Sequence, residues 1–250
     1  MIGDRTIKLI SIGSTNEYIK QNFEFLPSES VVVSTIQTAG YGRKGNVWES
    51  GRGGLWFSVL FKPRKRPVNP WHYVRMYSLG VYDVISKYKI KAKIKWPNDI
   101  LIDNKKICGI IGEYILEKNN IKGTIIGIGI NLNNEISEEL RETAVTLKEL
   151  TGNEINAEKF LSELNHVVYN RYYVKYLKNK SVSVITKKWL NALNIKNDDE
   201  IEIKNVNGEY EYGKIVRITP EYLEIMDKNY NLKTVYAGEI SVRNKIPRRY

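Results

Sequence analysis

Apolar and polar positions along this chain follow two rhythms, a period of two in some stretches and a helical period in others. Ile7–Ile12 and the valine-rich Ser30–Gln37 read as strands. In Gly53–Phe61, Leu55, Phe57, Val59 and Phe61 fall on one face, and Trp56, Ser58 and Leu60 on the other. Asn69-Pro70 has the form of a helix start. Val74, Tyr77, Val81, Val84, Ile85 and Tyr88 then recur at helical spacing, predicting a core-packing helix over Pro70–Lys87. Ile90–Lys95 is a strand, and Leu101–Asp103 with Lys106–Ile115 a hairpin turning at Asp103-Asn104. Thr124–Leu132 places Ile126, Ile128, Ile130 and Leu132 on one face and Gly127, Gly129 and Asn131 on the other. Ser137–Leu150, Ala157–Leu177 and Val184–Leu193 have helical periodicity. From about Ile195–Asp199 the pattern changes to short alternating strands: Glu200–Lys204, Tyr212–Thr219, Tyr222–Met226 and Leu232–Tyr236. Turns fall at Asn205–Gly208, Pro220, Asp227–Asn231 and Gly238. This predicts an α+β protein: a mixed sheet flanked by helices over residues 1–195, and a small β-barrel over 196–250.

Composition narrows the class. The 250 residues suffice for one large core plus a small extra domain, and 42% hydrophobic residues mark an ordinary globular chain. The single cysteine, Cys108, excludes an intrachain disulfide framework and a cysteine zinc cluster. No run approaches the ~18 apolar residues of a membrane span, and Met1–Lys8 carries no signal-peptide pattern, so the expected compartment is cytoplasmic. The net charge of +11 fits a solvated lysine-rich surface or an anionic partner. One dense basic patch stands out, Lys62-Pro63-Arg64-Lys65-Arg66, without a zinc-finger or basic-zipper signature. An acidic protein is therefore preferred to nucleic acid as the partner.

Candidate chemistry gathers at strand ends. Lys95-Trp96-Pro97-Asn98-Asp99 packs a cation, a ring, a turn-former, an amide and a carboxylate into one turn. Lys105 and Lys106 precede an apolar strand containing Gly109 and Gly112, where glycine permits a ligand or another backbone to come close. Thr38–Trp48 holds Gly40, Gly42 and Gly45 interleaved with Arg43 and Lys44, a loop able to surround a phosphate or carboxylate with amides and cations. It lacks the spacing of a P-loop or dinucleotide fingerprint. Ser14 and Glu17 have the spacing of a capping box, or else the same hydroxyls and amides hold a polar ligand group at a helix start. Trp56 beside Ser58 suits the wall of a pocket for a flat ligand, or ordinary core. Gly127 and Gly129 make a shelf ending at Asn131, or a site of close sheet packing. His72 and His166 read as packing or surface residues. Without a Ser-His-Asp set, and with Cys108 in mid-strand, covalent catalysis by the protein is disfavoured. Cations with few acids or bases suit phosphoryl or adenylyl transfer. Asp99 is a candidate ligand for Mg²⁺.

These motifs carry a family resemblance. Ser14-Thr15-Asn16, Gln37–Gly45, Lys95–Asp99, Lys106-Ile107-Cys108-Gly109-Ile110 and Gly127–Asn131 resemble, in order, the motifs of a biotin–protein ligase in its short form. The C-terminal strands resemble that family's small SH3-like domain. The resemblance implies a catalytic domain of the class II synthetase-like biotin ligase fold, with ATP, biotin and Mg²⁺ as reactants and cofactor. It also implies two steps. The biotin carboxylate attacks the α-phosphorus of ATP, and a lysine of a biotin carboxyl carrier protein then attacks the biotinyl-adenylate. Lys106 would bridge the two anions, and Arg43 would close the loop over the adenylate. Ser14, Thr15, Asn16 and Gln37 would serve the ureido end, with Gly40, Tyr41, Gly42, Trp56, Ser58, Gly109 and Gly127 around biotin. Lys95, Trp96, Asn98, Asp99 and Asn131 would serve ATP and its metal. A homodimer is implied as well, without DNA or a membrane as partner.

The loop departs from the family pattern. Tyr41 and Asn46 stand where that pattern has arginines, and Lys44 supplies part of the missing charge. Two other readings compete: a lipoate- or octanoate-transferring ligase with a longer apolar pocket, and a non-catalytic nucleic-acid-binding module with steeply salt-dependent binding and no ATP turnover.

Overall fold

The structure, a computed structural model, describes residues 1–63, 69–118, 120–179, 182–204, 210–237 and 241–244. Arg64, Lys65 and Arg66 of the basic patch, the turn at Asn205–Gly208 and the turn at Gly238 lie outside the described residues.

Strands β1 (Thr6–Ile12), β2 (Val31–Gln37), β3 (Leu55–Phe61), β4 (Lys93–Lys95), β5 (Asp99–Ile102), β6 (Lys105–Glu117) and β7 (Asn120–Ile130) form one sheet in the order β1-β2-β3-β7-β6-β5-β4. β1 and β2 are parallel and the other neighbours antiparallel, so the sheet is mixed. Helix α2 (Pro70–Ser86) covers one face. Asn69 caps it by accepting from Trp71 N at 2.9 Å, and Pro70 occupies the first turn, where its missing N–H costs nothing. Leu55, Phe57, Val59, Phe61, Ile126, Ile128 and Ile130 pack with this helix in the main core. The opposite face is apolar only at one end. There Ile19 of α1 (Thr15–Gln21) and Leu26 pack on Val32, Leu60 and Ile125. The rest of that face mixes Ser34, Ser58, Gly109, Gly127 and Gly129 with Trp56 and Ile111, and the site forms there.

A second sheet contains β8 (Glu200–Lys204), β9 (Tyr210–Ile218), β10 (Tyr222–Met226), β11 (Leu232–Tyr236) and β12 (Ser241–Asn244). Its order is β11-β10-β9-β8-β12, antiparallel throughout, in keeping with an SH3-like domain. Ile201, Ile215, Leu223 and Ile225 extend the main core into it. Trp96 reaches across to it, donating from Nε1 to the Thr219 carbonyl at 2.7 Å.

Several boundaries differ from the periodicity. The strand expected over Ile90–Lys95 is only Lys93–Lys95. Ser137–Leu150 is not one helix but a 3₁₀ turn, Glu138–Leu140, followed by a separate helix α3 (Leu147–Thr151). Backbone pairing interrupts it: Lys106 N donates to Thr143 O at 2.7 Å, and Val145 N to Lys106 O at 3.1 Å. Thr146 then restarts the chain with a full capping box to Glu149. Ala157–Leu177 is helical but changes geometry, running as α4 (Ala157–Val167), a π-helical stretch Val168–Tyr173 and α5 (Val174–Asn179). The last helix, α6, is Ser183–Ala192. Asp83 of α2 ties these helices down, accepting from Arg171, Tyr172 and Lys188.

Candidate active site

The polar end of the sheet encloses a cavity of about 200 Å³. Its inner end is a chain of hydrogen bonds among amides and hydroxyls that runs out to the Glu113 carboxylate. Thr15 N and Oγ1 donate to Gln37 Oε1 at 2.8 and 2.9 Å. Thr15 Oγ1 lies 2.6 Å from Ser58 Oγ, which donates to Asn16 Oδ1 at 2.5 Å. Asn16 Nδ2 donates to Glu113 Oε2 at 2.6 Å. Ser14 sits at the helix N-cap without a side-chain cap bond. The capping box does not form, because Glu17 instead accepts from Lys20 at 2.6 Å and from Tyr41 Oη at 2.9 Å. Each pocket side chain is thus fixed by a buried partner, as a recognition surface for a polar ring requires.

Cations stand at the outer end. Lys106 Nζ pairs with Asp99 Oδ2 at 2.6 Å. Arg43 Nη1 donates to Asn98 Oδ1 at 2.9 Å, and Asn98 Nδ2 to the Ile110 carbonyl at 2.5 Å. Burial lowers the Arg43 pKa, with Asp99 working in the opposite direction. The β5–β6 hairpin explains the placement of both lysines. Asp103 and Asn104 turn it with φ of 47° and 66°, and β6 then presents Lys106 inward while Lys105 Nζ bonds the Arg141 carbonyl at 2.6 Å. The Lys106 backbone is held by the Thr143–Val145 segment, so only its side chain is free to move toward a ligand.

The glycine faces are not bare. The indole of Trp48 lies on Gly109 and Gly129: a Cβ added to Gly129 would come within 2.3 Å of Trp48 Nε1, and one added to Gly109 within 2.8 Å of Cζ3. The amide of Asn16 covers Gly127, 2.6 Å from its would-be Cβ. Glycine is required here first by side-chain packing. Trp48 Nε1 is buried without a hydrogen-bond partner among the described residues, and Lys106 Nζ is 5.6 Å from its ring centre.

A neighbouring cavity of about 620 Å³ shares Trp48 and Lys106 and is lined by Lys95 and Asn131. Asn131 Nδ2 reaches the Lys106 carbonyl at 3.4 Å.

The structure gathers Ser14, Thr15, Asn16, Gln37, Tyr41, Gly42, Arg43, Asn98, Asp99, Lys106, Gly109 and Gly127 around the first cavity. Lys95 and Asn131 line the neighbouring cavity instead, and four expected residues line neither. Trp56 is fully buried, its Nε1 donating to Gly51 O at 2.8 Å, and it does not line the cavity. Ser58 lies beneath, supporting Thr15 and Asn16. Trp96 is turned to the second sheet, and Gly40 packs on Ser50 and the Trp48 carbonyl at the loop base. Cys108 is buried, and burial, then Asp99, pushes its thiol pKa well up, which leaves it inert. Trp48, Phe57, Lys20 and Glu113 escaped the sequence reading as site residues. A carboxylate at Glu113, inside an apolar strand, was the available signal.

Among the described residues no group of three or more His, Cys, Asp or Glu forms a metal cage. The oxygen donor at the cation end is a single carboxylate, Asp99, already paired with Lys106. Chemically, the arrangement binds a neutral polar ring at one end and offsets concentrated negative charge at the other.

Residues 9–131 match the family model described as the biotin/lipoate A/B protein ligase family. The bifunctional ligase/repressor BirA of Bacillus subtilis is 31% identical over 224 residues, covering 86% of this chain and 67% of that protein. A biotin–[acetyl-CoA-carboxylase] ligase of Paracoccus denitrificans is 26% identical over 158 residues, 60% of this chain and 66% of the relative. The biotin protein ligase of Aquifex aeolicus, solved in complex with biotin and ATP, superposes with a TM-score of 0.80 at 29% identity, over 97% of this chain and 100% of that one. With the cation pair, the polar inner pocket and the mixed sheet in place, these likenesses assign the chain to the biotin/lipoate protein ligase family, on its biotin–protein ligase branch.

Proposed function

We propose that this chain activates biotin with ATP and transfers the biotinyl group to a lysine of a biotin carboxyl carrier protein. The observation that carries this reading is the convergence of Lys106 and Arg43 at the mouth of a pocket whose inner end presents the amides and hydroxyls of Thr15, Asn16 and Gln37, with the Glu113 carboxylate behind Asn16. In the first step a carboxylate oxygen of biotin forms a bond to the α-phosphorus, and pyrophosphate leaves. Both reactants are anions, and the enzyme's task is to hold them together and spread the developing charge. Lys106 does this by leaving Asp99 for the carboxylate and α-phosphate, and Arg43 closes the loop from the other side. In the second step the carrier amine attacks the acyl carbon, and AMP leaves.

Thr15, Asn16 and Gln37 hold the ureido ring. Lys95 and Asn131 flank the adjoining cavity and serve the nucleotide. Asp99 fits as one oxygen ligand to a Mg²⁺ that arrives on the phosphates, which keeps most of its coordination in water and substrate. The same reading takes the protein as a cytoplasmic homodimer whose boundary between catalytic and C-terminal domains falls at residues 195 and 196. Its positive charge steers an acidic carrier. DNA is not a partner in this reading.

Pyrophosphate release from ATP, measured with biotin, lipoate, octanoate or no acid, tests the reading. Release with biotin alone is expected. Release that prefers lipoate or octanoate, or proceeds equally without any acid, would displace it.

A further inference from the structure

We propose that Tyr41 is a positioning residue: its hydroxyl ties the near end of the 38–48 loop to Glu17 and Glu113, and this tether sets how long the activated acid is retained. The proposal rests on the ligase reading above for its consequence, but not for its geometry.

Tyr41 lines the cavity, and its half-buried side chain reaches Glu17 of α1 and Glu113 of β6. Its Oη lies 2.9 Å from both Glu17 Oε1 and Glu113 Oε2, and Lys20 Nζ donates to it at 3.3 Å. Glu113 Oε2 also accepts from Asn16 Nδ2 at 2.6 Å. One carboxylate oxygen therefore anchors the loop and orients the amide that covers Gly127. Inside the loop, Gly42 N donates to Asn46 O at 2.7 Å and Trp48 N to Gly40 O at 2.9 Å. Arg43, bonded to Asn98, is a second pin, whereas Lys44, Gly45, Asn46 and Val47 are exposed.

The chemistry of the tether is specific to this loop. Glu17, Glu113 and Lys20 carry two negative charges against one positive. Burial opposes the charge on Lys20, yet Glu17, Glu113 and Tyr41 together raise its pKa. Burial first, then Glu113, pushes the Tyr41 pKa up to about 12, so the phenol keeps its proton to donate at neutral pH. An arginine at position 41, the family pattern, would bring a cation to the loop. The tyrosine holds the loop by a charge-assisted hydrogen bond instead, adding no charge over the anion.

Tyr41→Phe keeps the ring near Lys20 and removes the hydroxyl. Two measurements are made on the full chain. In the unliganded protein, hydrogen exchange of amides 40–48 should accelerate about 10-fold, the loss of one charge-assisted bond, with β6 and α1 unchanged. In a chase with unlabelled biotin, labelled biotinyl-adenylate should leave about 10-fold faster and KM for biotin should rise, while kcat at saturating biotin changes less than about twofold. Tyr41→Arg, which donates to the same carboxylates, should keep exchange slow and retain the adenylate longer than wild type. Unaltered loop exchange in Tyr41→Phe overturns the tether. So does acceleration spread over α1 and β6 with a matching fall in kcat, the sign of general loosening. Wild-type protein that forms no adenylate counts against the ligase reading, while the exchange measurement still judges the tether alone.

Discussion

Lys106→Ala removes the cation on which the proposed first step depends, and its cost can be worked from the structure. A unit charge about 4 Å from another, at an effective dielectric of about 20, contributes about 4 kcal/mol. The Lys106 side chain is 35% exposed and Asp99 17%, so solvent screens part of this, leaving about 2–4 kcal/mol. At about 1.4 kcal/mol per factor of ten, adenylation should fall about 30- to 1,000-fold. Folding should hardly change, because the Lys106 backbone bonds to Thr143 and Val145 survive truncation, and a partly exposed ion pair adds at most about 1 kcal/mol. The assay is biotin-dependent exchange of labelled pyrophosphate into ATP, alongside thermal melting. Lys105→Ala is the control: its ammonium bonds the Arg141 carbonyl outside the cavity, and its rate should stay near wild type. A Lys106→Ala enzyme within about threefold of wild type, or equal losses in both variants, would refute the reasoning.

Two further outcomes follow from the packing. Gly129→Ala puts a methyl within 2.3 Å of Trp48 Nε1, so the indole should leave its seat. Tryptophan emission should then shift to the red and kcat/KM for biotin fall about 10-fold, with no spectral shift in a Trp48→Phe background; unshifted emission would show that the indole does not rest there. His72, half-buried near Arg75 and within 3.2 Å of Tyr176 Oη, has its pKa lowered to about 4, first by desolvation and then by Arg75. The unfolded chain binds that proton near pH 6.5 and the folded one does not. The stabilising difference is therefore complete above about pH 6.5 and fades toward pH 4. His72→Phe should flatten the fall in melting temperature between pH 7 and pH 5, and an identical slope would remove His72 from that role.

Much of the architecture was legible in the chain because local and global preferences agree. Asn69-Pro70 starts its helix, Asp103-Asn104 turns its hairpin, and the alternation in Leu55–Phe61 divides the faces as expected. The failures have a shared physical form. Ser137–Leu150 has helical spacing, but its backbone at Thr143 and Val145 was claimed by Lys106, far upstream in the chain, a long-range pairing that periodicity cannot register. The capping box at Ser14 lost Glu17 to Lys20 and Tyr41. Trp56 beside Ser58 suggested a pocket wall, yet both are fully buried, Ser58 beneath Thr15 and Asn16 of α1 and Trp56 against Gly51. Gly109 and Gly129 signalled a close approach, but nothing in local sequence says that Trp48 folds back onto them.

The central claim is that Lys106 exchanges Asp99 for two substrate anions. A crystal structure with biotin and a non-hydrolysable ATP analogue tests it most directly. The account predicts Lys106 Nζ within about 3 Å of both a carboxylate oxygen and an α-phosphate oxygen, with the contact to Asp99 broken. A ligand-filled pocket in which Lys106 remains on Asp99, or an anion held elsewhere in the molecule, would contradict it.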